Sequence, residues 1–121
     1  MRLADAGFEP LASGPPAHGR RFRVDPASRL FDGHFEGTPI LPGVAQIVLA
    51  VDVGRDGRAA TDDCLGLRDV RVLHPIGPGE TIDVICAPGA NPAEVRFEIR
   101  GLGRTLTTGV LLFGSRDAVA P

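Results

Sequence analysis

The feature that most constrains this chain is a junction between a loop and a helix at residues 31–53. Phe31-Asp-Gly-His-Phe-Glu-Gly-Thr-Pro-Ile-Leu-Pro-Gly holds three glycines and two prolines in thirteen residues. That density demands a tightly routed loop rather than a helix or strand. Directly after it, Val44-Ala-Gln-Ile-Val-Leu-Ala-Val-Asp-Val is apolar on nearly every helical face. A helix of that kind is stable only when buried. Pro42 suits its start and Gly54 its stop. The apolar surface is wider than one small sheet can cover, so its remaining face should meet a second subunit, making a dimer or larger homo-oligomer.

The rest of the chain reads as strands. Glu94-Val-Arg-Phe-Glu-Ile-Arg is the cleanest period-two pattern, with Val95, Phe97 and Ile99 facing inward. Glu80 to Cys86 alternates as well, Leu67 to His74 does so weakly, and Gly101-Leu-Gly turns into a strand from Arg104 to Phe113. Arg20 to Val24 is a further strand candidate. The opening residues, 1–19, are rich in Ala, Gly and Pro and read as a loose arm or one short strand. One buried helix followed by a four-strand antiparallel meander makes a single α+β domain over residues 1–121, with the sheet wrapped on the helix.

Composition narrows the function classes. The 121 residues carry 13 basic and 15 acidic side chains, for a net charge of −2, so no basic field for nucleic acid exists. All the basic residues are Arg, which reads as compositional bias. Cys64 and Cys86 stand alone without metal-ligand spacing, so no metal is expected and each reads as a small buried hydrophobe in a reducing compartment. No apolar leader opens the chain, and the stretch from Ile40 to Val53 is broken by Pro42, Gln46 and Asp52. A cytoplasmic protein that does not enter a membrane is expected.

The junction also carries chemistry. Gly and Pro hold His34 in a fixed direction near a helix start, where free backbone N–H groups and the positive dipole end can receive a developing oxyanion. A histidine beside such donors can abstract a proton alpha to a carbonyl. It can equally be a packing or capping residue of the loop.

His34-Phe-Glu-Gly-Thr-Pro-Ile-Leu-Pro-Gly-Val closely resembles the His-Phe-Pro-Gly-x-Pro-x-x-Pro-Gly-Val signature of the 3-hydroxyacyl-(acyl-carrier-protein) dehydratases, whose fold is the hotdog. The longer string Pro39-Ile-Leu-Pro-Gly-Val-Ala-Gln is similar to relatives in specialised-lipid and aryl-polyene pathways. The resemblance implies an antiparallel sheet wrapped around one long helix and dehydration of a 3-hydroxyacyl thioester, borne by acyl carrier protein or coenzyme A. No cofactor is implied. His34 falls on the family's base, and Gly43 on the residue whose backbone N–H polarises the thioester carbonyl. Phe35, Gly37, Pro39, Pro42 and Val44 fall on positions shaping the loop and the acyl tunnel, which lies between subunits.

Two departures stand out. In the family an acidic residue fourteen positions after the histidine, supplied by the partner subunit's helix, completes the site, and that position is Val48 here. Asp52, one turn further on the same helix face, either supplies the acid to a deeper-seated substrate or is a helix-end charge. Glu36 replaces the family's proline and reads as solvated. Gln46 is out of phase with that face and reads as a structural amide. His74 reads as structural, and His18 carries no signal. The resulting expectation is a dehydratase-like enzyme. Its alternatives are a catalytically impaired hotdog subunit that binds acyl chains or pairs with an active homologue, and a hotdog thioesterase.

Overall fold

The computed structural model describes residues 7–11, 19–28, 31, 39–56 and 58–115. Among them are six strands and one helix. In chain order they are β1 (Phe8–Pro10), β2 (Gly19–Val24), α1 (Gly43–Gly54), β3 (Asp62–Val72), β4 (Thr81–Pro88), β5 (Glu94–Gly101) and β6 (Arg104–Ser115). The strands form one antiparallel sheet in the order β1-β2-β4-β5-β6-β3. With α1 against one face, this is the α+β hotdog fold.

The alternating segments become strands with the expected inward faces. Ile82, Val84 and Cys86 of β4 and Phe97 and Ile99 of β5 are buried, and Val95 packs against the same cluster. Opposite them lie Ala45, Leu49, Ala50 and Val53 of α1, with Leu111 and Phe113 from β6. Full burial of one such Val, Leu or Phe side chain contributes about 1.5–3 kcal/mol. Small residues bring helix and sheet close: a Cβ on Gly54 would lie 3.1 Å from Leu111 Cδ1.

Three expectations need correction. The four strands after the helix are not a simple meander, because β3 crosses to the far edge and pairs with β6, while β2 takes its place beside β4. β3 also begins at Asp62, before the weak alternation starts. Gly54 is still helical, and Arg55 in the right-handed α conformation is the C-cap, so the glycine serves close packing rather than termination. Of the two readings of the opening arm, the short strand is the one that forms within it. Phe8 is buried with its ring edge-on to Phe22 at 6.3 Å between centroids, which fixes Phe8–Pro10 as a strand on β2.

The hairpin between β5 and β6 turns on Leu102 and Gly103, both at positive φ (54° and 75°), the two-residue turn whose twist matches its strands. Leu102 is exposed there and is an unusual residue for that conformation. Of the seven large apolar side chains exposed among the described residues, five lie between Leu65 and Leu73, on or just after the edge strand. β3 carries register shifts between Cys64 and Gly66 and between Arg68 and Arg71, with Asp69 at φ 55° inside the second.

Candidate active site at the start of the helix

Of the expected site residues, Pro39, Pro42, Gly43, Val44, Val48 and Asp52 fall within the described structure. His34, Phe35 and Gly37 lie outside the described residues, as do Glu36 and His18. The site is therefore built from its helix side.

Pro42 is the N-cap residue, at φ −60° and ψ 146°. It has no N–H to leave unpaired, and its carbonyl accepts from Ala45 N–H at 3.1 Å and Gln46 N–H at 3.3 Å. Among the described residues no side chain caps the first turn, and that turn holds no acidic residue. Gly43 and Val44 are exposed, and a Cβ placed on Gly43 would meet nothing within 4 Å. Packing of the described residues therefore does not require a glycine at 43. The uncapped N–H groups of this turn carry the positive end of the helix dipole and can receive negative charge.

From that end, two rows of side chains run down one side of the helix at i, i+4 spacing. Gly43, Ile47 and Val51 form one row, and Val44, Val48 and Asp52 the other. Ile47, Val48, Val51, Asp52 and Arg55 form one wall of a groove of about 430 Å³. Cys64, Leu65, Gly66 and Leu67 of β3 form the other wall. The structure thus brings Val48 and Asp52 together in one groove along the middle and end of the helix. Asp52 is half-buried and makes no hydrogen bond or ion pair with the described residues. Its neighbour Arg55 is turned instead toward Asp63 at 3.3 Å.

The opposite side of the helix is closed. Gln46, one turn past Gly43, is 1% exposed. Its Nε2 donates to the Leu41 carbonyl at 3.3 Å, and its Oε1 accepts from the Thr107 hydroxyl at 2.5 Å. Leu41 N–H donates to the Ile76 carbonyl at 2.7 Å, while Leu73 and His74 N–H donate to the Leu106 carbonyl at 2.8 and 3.2 Å. The loop entering the helix is thus tied both to the 73–76 connector and to β6. Gln46 is the structural amide that its phase suggested. Thr107 carried no sequence signal, because nothing local marks a threonine 61 positions away as its partner.

The first turn of α1 lies inside the segment that matches a known family. Residues 17–110 match the model of the ApeI-like family, described as ApeI dehydratase. The chain belongs to the ApeI-like dehydratase family. Over 65 residues it is 35% identical to the 3-hydroxyacyl-(acyl-carrier-protein) dehydratase FabZ of Novosphingobium aromaticivorans, covering 46% of this chain and 41% of that protein. The chain thus matches well under half the length of this curated relative. Among solved structures, an uncharacterized protein of Erwinia carotovora subsp. atroseptica superposes with a TM-score of 0.76. It is 24% identical, over 91% of this chain and 98% of that one. A chain of the dehydratase heterocomplex ApeI:P from Xenorhabdus doucetiae gives 0.69 at 24% identity, over 84% and 91%. At that identity the two structures speak for the hotdog fold.

Burial shifts one other titratable group: the Cys86 thiol is pushed up from 9.0 to about 11 by desolvation. Cys86 lies in a cavity at the far end of the helix from Gly43, together with Val53 and Gly54. Among the described residues, no cluster of three or more His, Cys, Asp or Glu could hold a metal, and no helix is long and apolar enough to cross a membrane.

Proposed function

We propose that this ApeI-like dehydratase removes water from a 3-hydroxyacyl thioester carried on acyl carrier protein or coenzyme A. The observation that carries the reading is the exposed first turn at Gly43, begun by Pro42 with no side-chain cap among the described residues, on the helix whose following turns line a groove with Val48 and Asp52. The thioester carbonyl accepts a hydrogen bond from Gly43 N–H, which stabilises the charge that develops when a proton leaves C2. His34 takes that proton. The C3–O bond then breaks, the 3-hydroxyl leaves as water, and the C2–C3 double bond forms. Val48 has no proton to give. Asp52, one turn deeper, delivers the proton to the leaving hydroxyl. Phe35, Gly37, Pro39, Pro42 and Val44 shape the entry for the acyl chain. No cofactor is required for this chemistry.

The active form is an oligomer of this cytoplasmic protein, with the exposed apolar edge from Leu65 to Leu73 covered by a second subunit. Two features support that arrangement. An edge strand presents unpaired backbone N–H and C=O groups, and apolar side chains gathered along it are the composition of an interface.

Incubation with a 3-hydroxyacyl thioester, following enoyl product and free thiol together, tests the reaction. Enoyl formation lost by roughly 10²-fold in a folded His34→Ala supports the dehydratase. Thiol release without enoyl product points to a thioesterase. Val48 favours one second reading: a subunit with little activity of its own that pairs with an active homologue. Binding of acyl thioester without turnover, and turnover restored on mixing with such a homologue, would select it.

A further inference from the structure

We propose that Gln46 and Thr107 are positioning residues that aim the Gly43 N–H, an inference that rests on the dehydratase reading above. Leu41 lies two residues before Gly43, and its backbone is held from both sides. Its N–H is bound by the Ile76 carbonyl, and its own carbonyl, outside the helical ladder, is bound by the Gln46 amide. The Thr107 hydroxyl holds that amide in turn, so β6 sets where Leu41 sits. Between Leu41 and Gly43 stands only Pro42, whose ring locks φ near its observed −60°. With Leu41 fixed and φ locked, ψ of Pro42 is held at 146° by its carbonyl accepting from Ala45 and Gln46 N–H, which leaves the Gly43 N–H little freedom of direction.

Folding alone does not call for this arrangement. Neutral hydrogen bonds contribute little net stability when both partners could be replaced by apolar groups, and an unbranched apolar side chain would fill the place of Gln46. A fully satisfied buried amide instead imposes one geometry. That geometry matters where a donor must meet charge as it develops, because a displacement near 1 Å costs rate rather than binding.

Thr107→Val removes the hydroxyl at constant shape, and Gln46→Met removes both amide bonds. Each variant and their double are measured for thermal unfolding, for kcat and KM on a 3-hydroxyacyl thioester, and for hydrogen exchange at the Leu41 amide. The expected result is a folded Thr107→Val with kcat lowered roughly 10- to 100-fold and KM within about twofold. The double should be no worse than the poorer single, since both break one chain of contacts. Thr107→Ser, which keeps the hydroxyl, should recover kcat to within about threefold. The Leu41 amide, buried and bonded to the Ile76 carbonyl, should exchange at least roughly tenfold faster in Thr107→Val. Unchanged kcat in a folded Thr107→Val, or losses that multiply in the double, overturns the proposal. If Gln46→Met does not fold, Thr107→Val and Thr107→Ser carry the test. A wild-type protein with no turnover removes the dehydratase reading alone. Leu41 exchange then decides the positioning role, supported by the faster exchange and overturned by an unchanged rate.

Discussion

On one side of α1, Ala45, Gln46, Leu49, Ala50 and Val53 press against the sheet and are buried, and the amide among them has its carbonyl and amide groups paired. On the other, Ile47, Val48, Val51 and Asp52 border the groove beside β3 and are only half-covered. The two faces are similar in composition: each is mostly apolar with a single polar side chain. They differ in what that polar group is given. Gln46 finds partners within the chain, while Asp52 finds none among the described residues. A satisfied amide ties the first face into the fold, whereas the second face offers a carboxylate that no described residue pairs.

Substitutions on each face sharpen that contrast, and the largest effect belongs to the packed one. Leu49 is fully buried, so Leu49→Ala should cost about 2–5 kcal/mol in urea unfolding through lost contacts and the cavity left behind. A cost below 1 kcal/mol would mean that α1 is not seated as described. The open face should answer in activity instead. Asp52→Asn should lower enoyl formation by roughly 10²-fold, about 2.7 kcal/mol of barrier, with unfolding changed by less than about 0.5 kcal/mol. Turnover equal to wild type would place the acid elsewhere.

Alkali provides the next test of the packed side. The folded Cys86 thiol ionises near 11, against 9.0 for its ordinary value. Between those values the unfolded chain sheds its proton while the folded chain keeps it. Stability is therefore fully present below pH 9 and falls as pH rises toward 11, by about 1–2 kcal/mol. Urea midpoints measured across that range should show the fall in wild type, and the part due to this thiol should vanish in Cys86→Ala. The smallest effect returns to the groove. Val48→Ala, at a half-covered position, should shift unfolding by less than about 1 kcal/mol in dilute protein. The shift should grow with concentration if a second subunit covers this face, and equal costs for Val48→Ala and Leu49→Ala would erase the distinction between the faces.

Much of the frame was legible because it is written in local patterns. The loop-to-helix junction shows in its glycines and prolines and in an apolar run with no polar face. β4 and β5 show in period-two alternation, and their inward residues were correct side chain by side chain. The helix signature also led to the family, which the match over residues 17–110 establishes. What the sequence left open depends on contacts between distant residues. β3 reads as the neighbour of β4 because sequential strands usually pair, yet it lies across the sheet on β6, with Arg71 opposite Thr108. Gly54 reads as a helix stop because glycine often is one, but its missing side chain makes room for Leu111. Thr107 is an ordinary strand residue until the fold places its hydroxyl on Gln46. Periodicity and turn chemistry are properties of neighbours along the chain, so one sequence determines the elements and their buried faces. Strand order and the pairing of a buried amide are set by the free energy of whole surfaces meeting, which the tertiary structure alone decided.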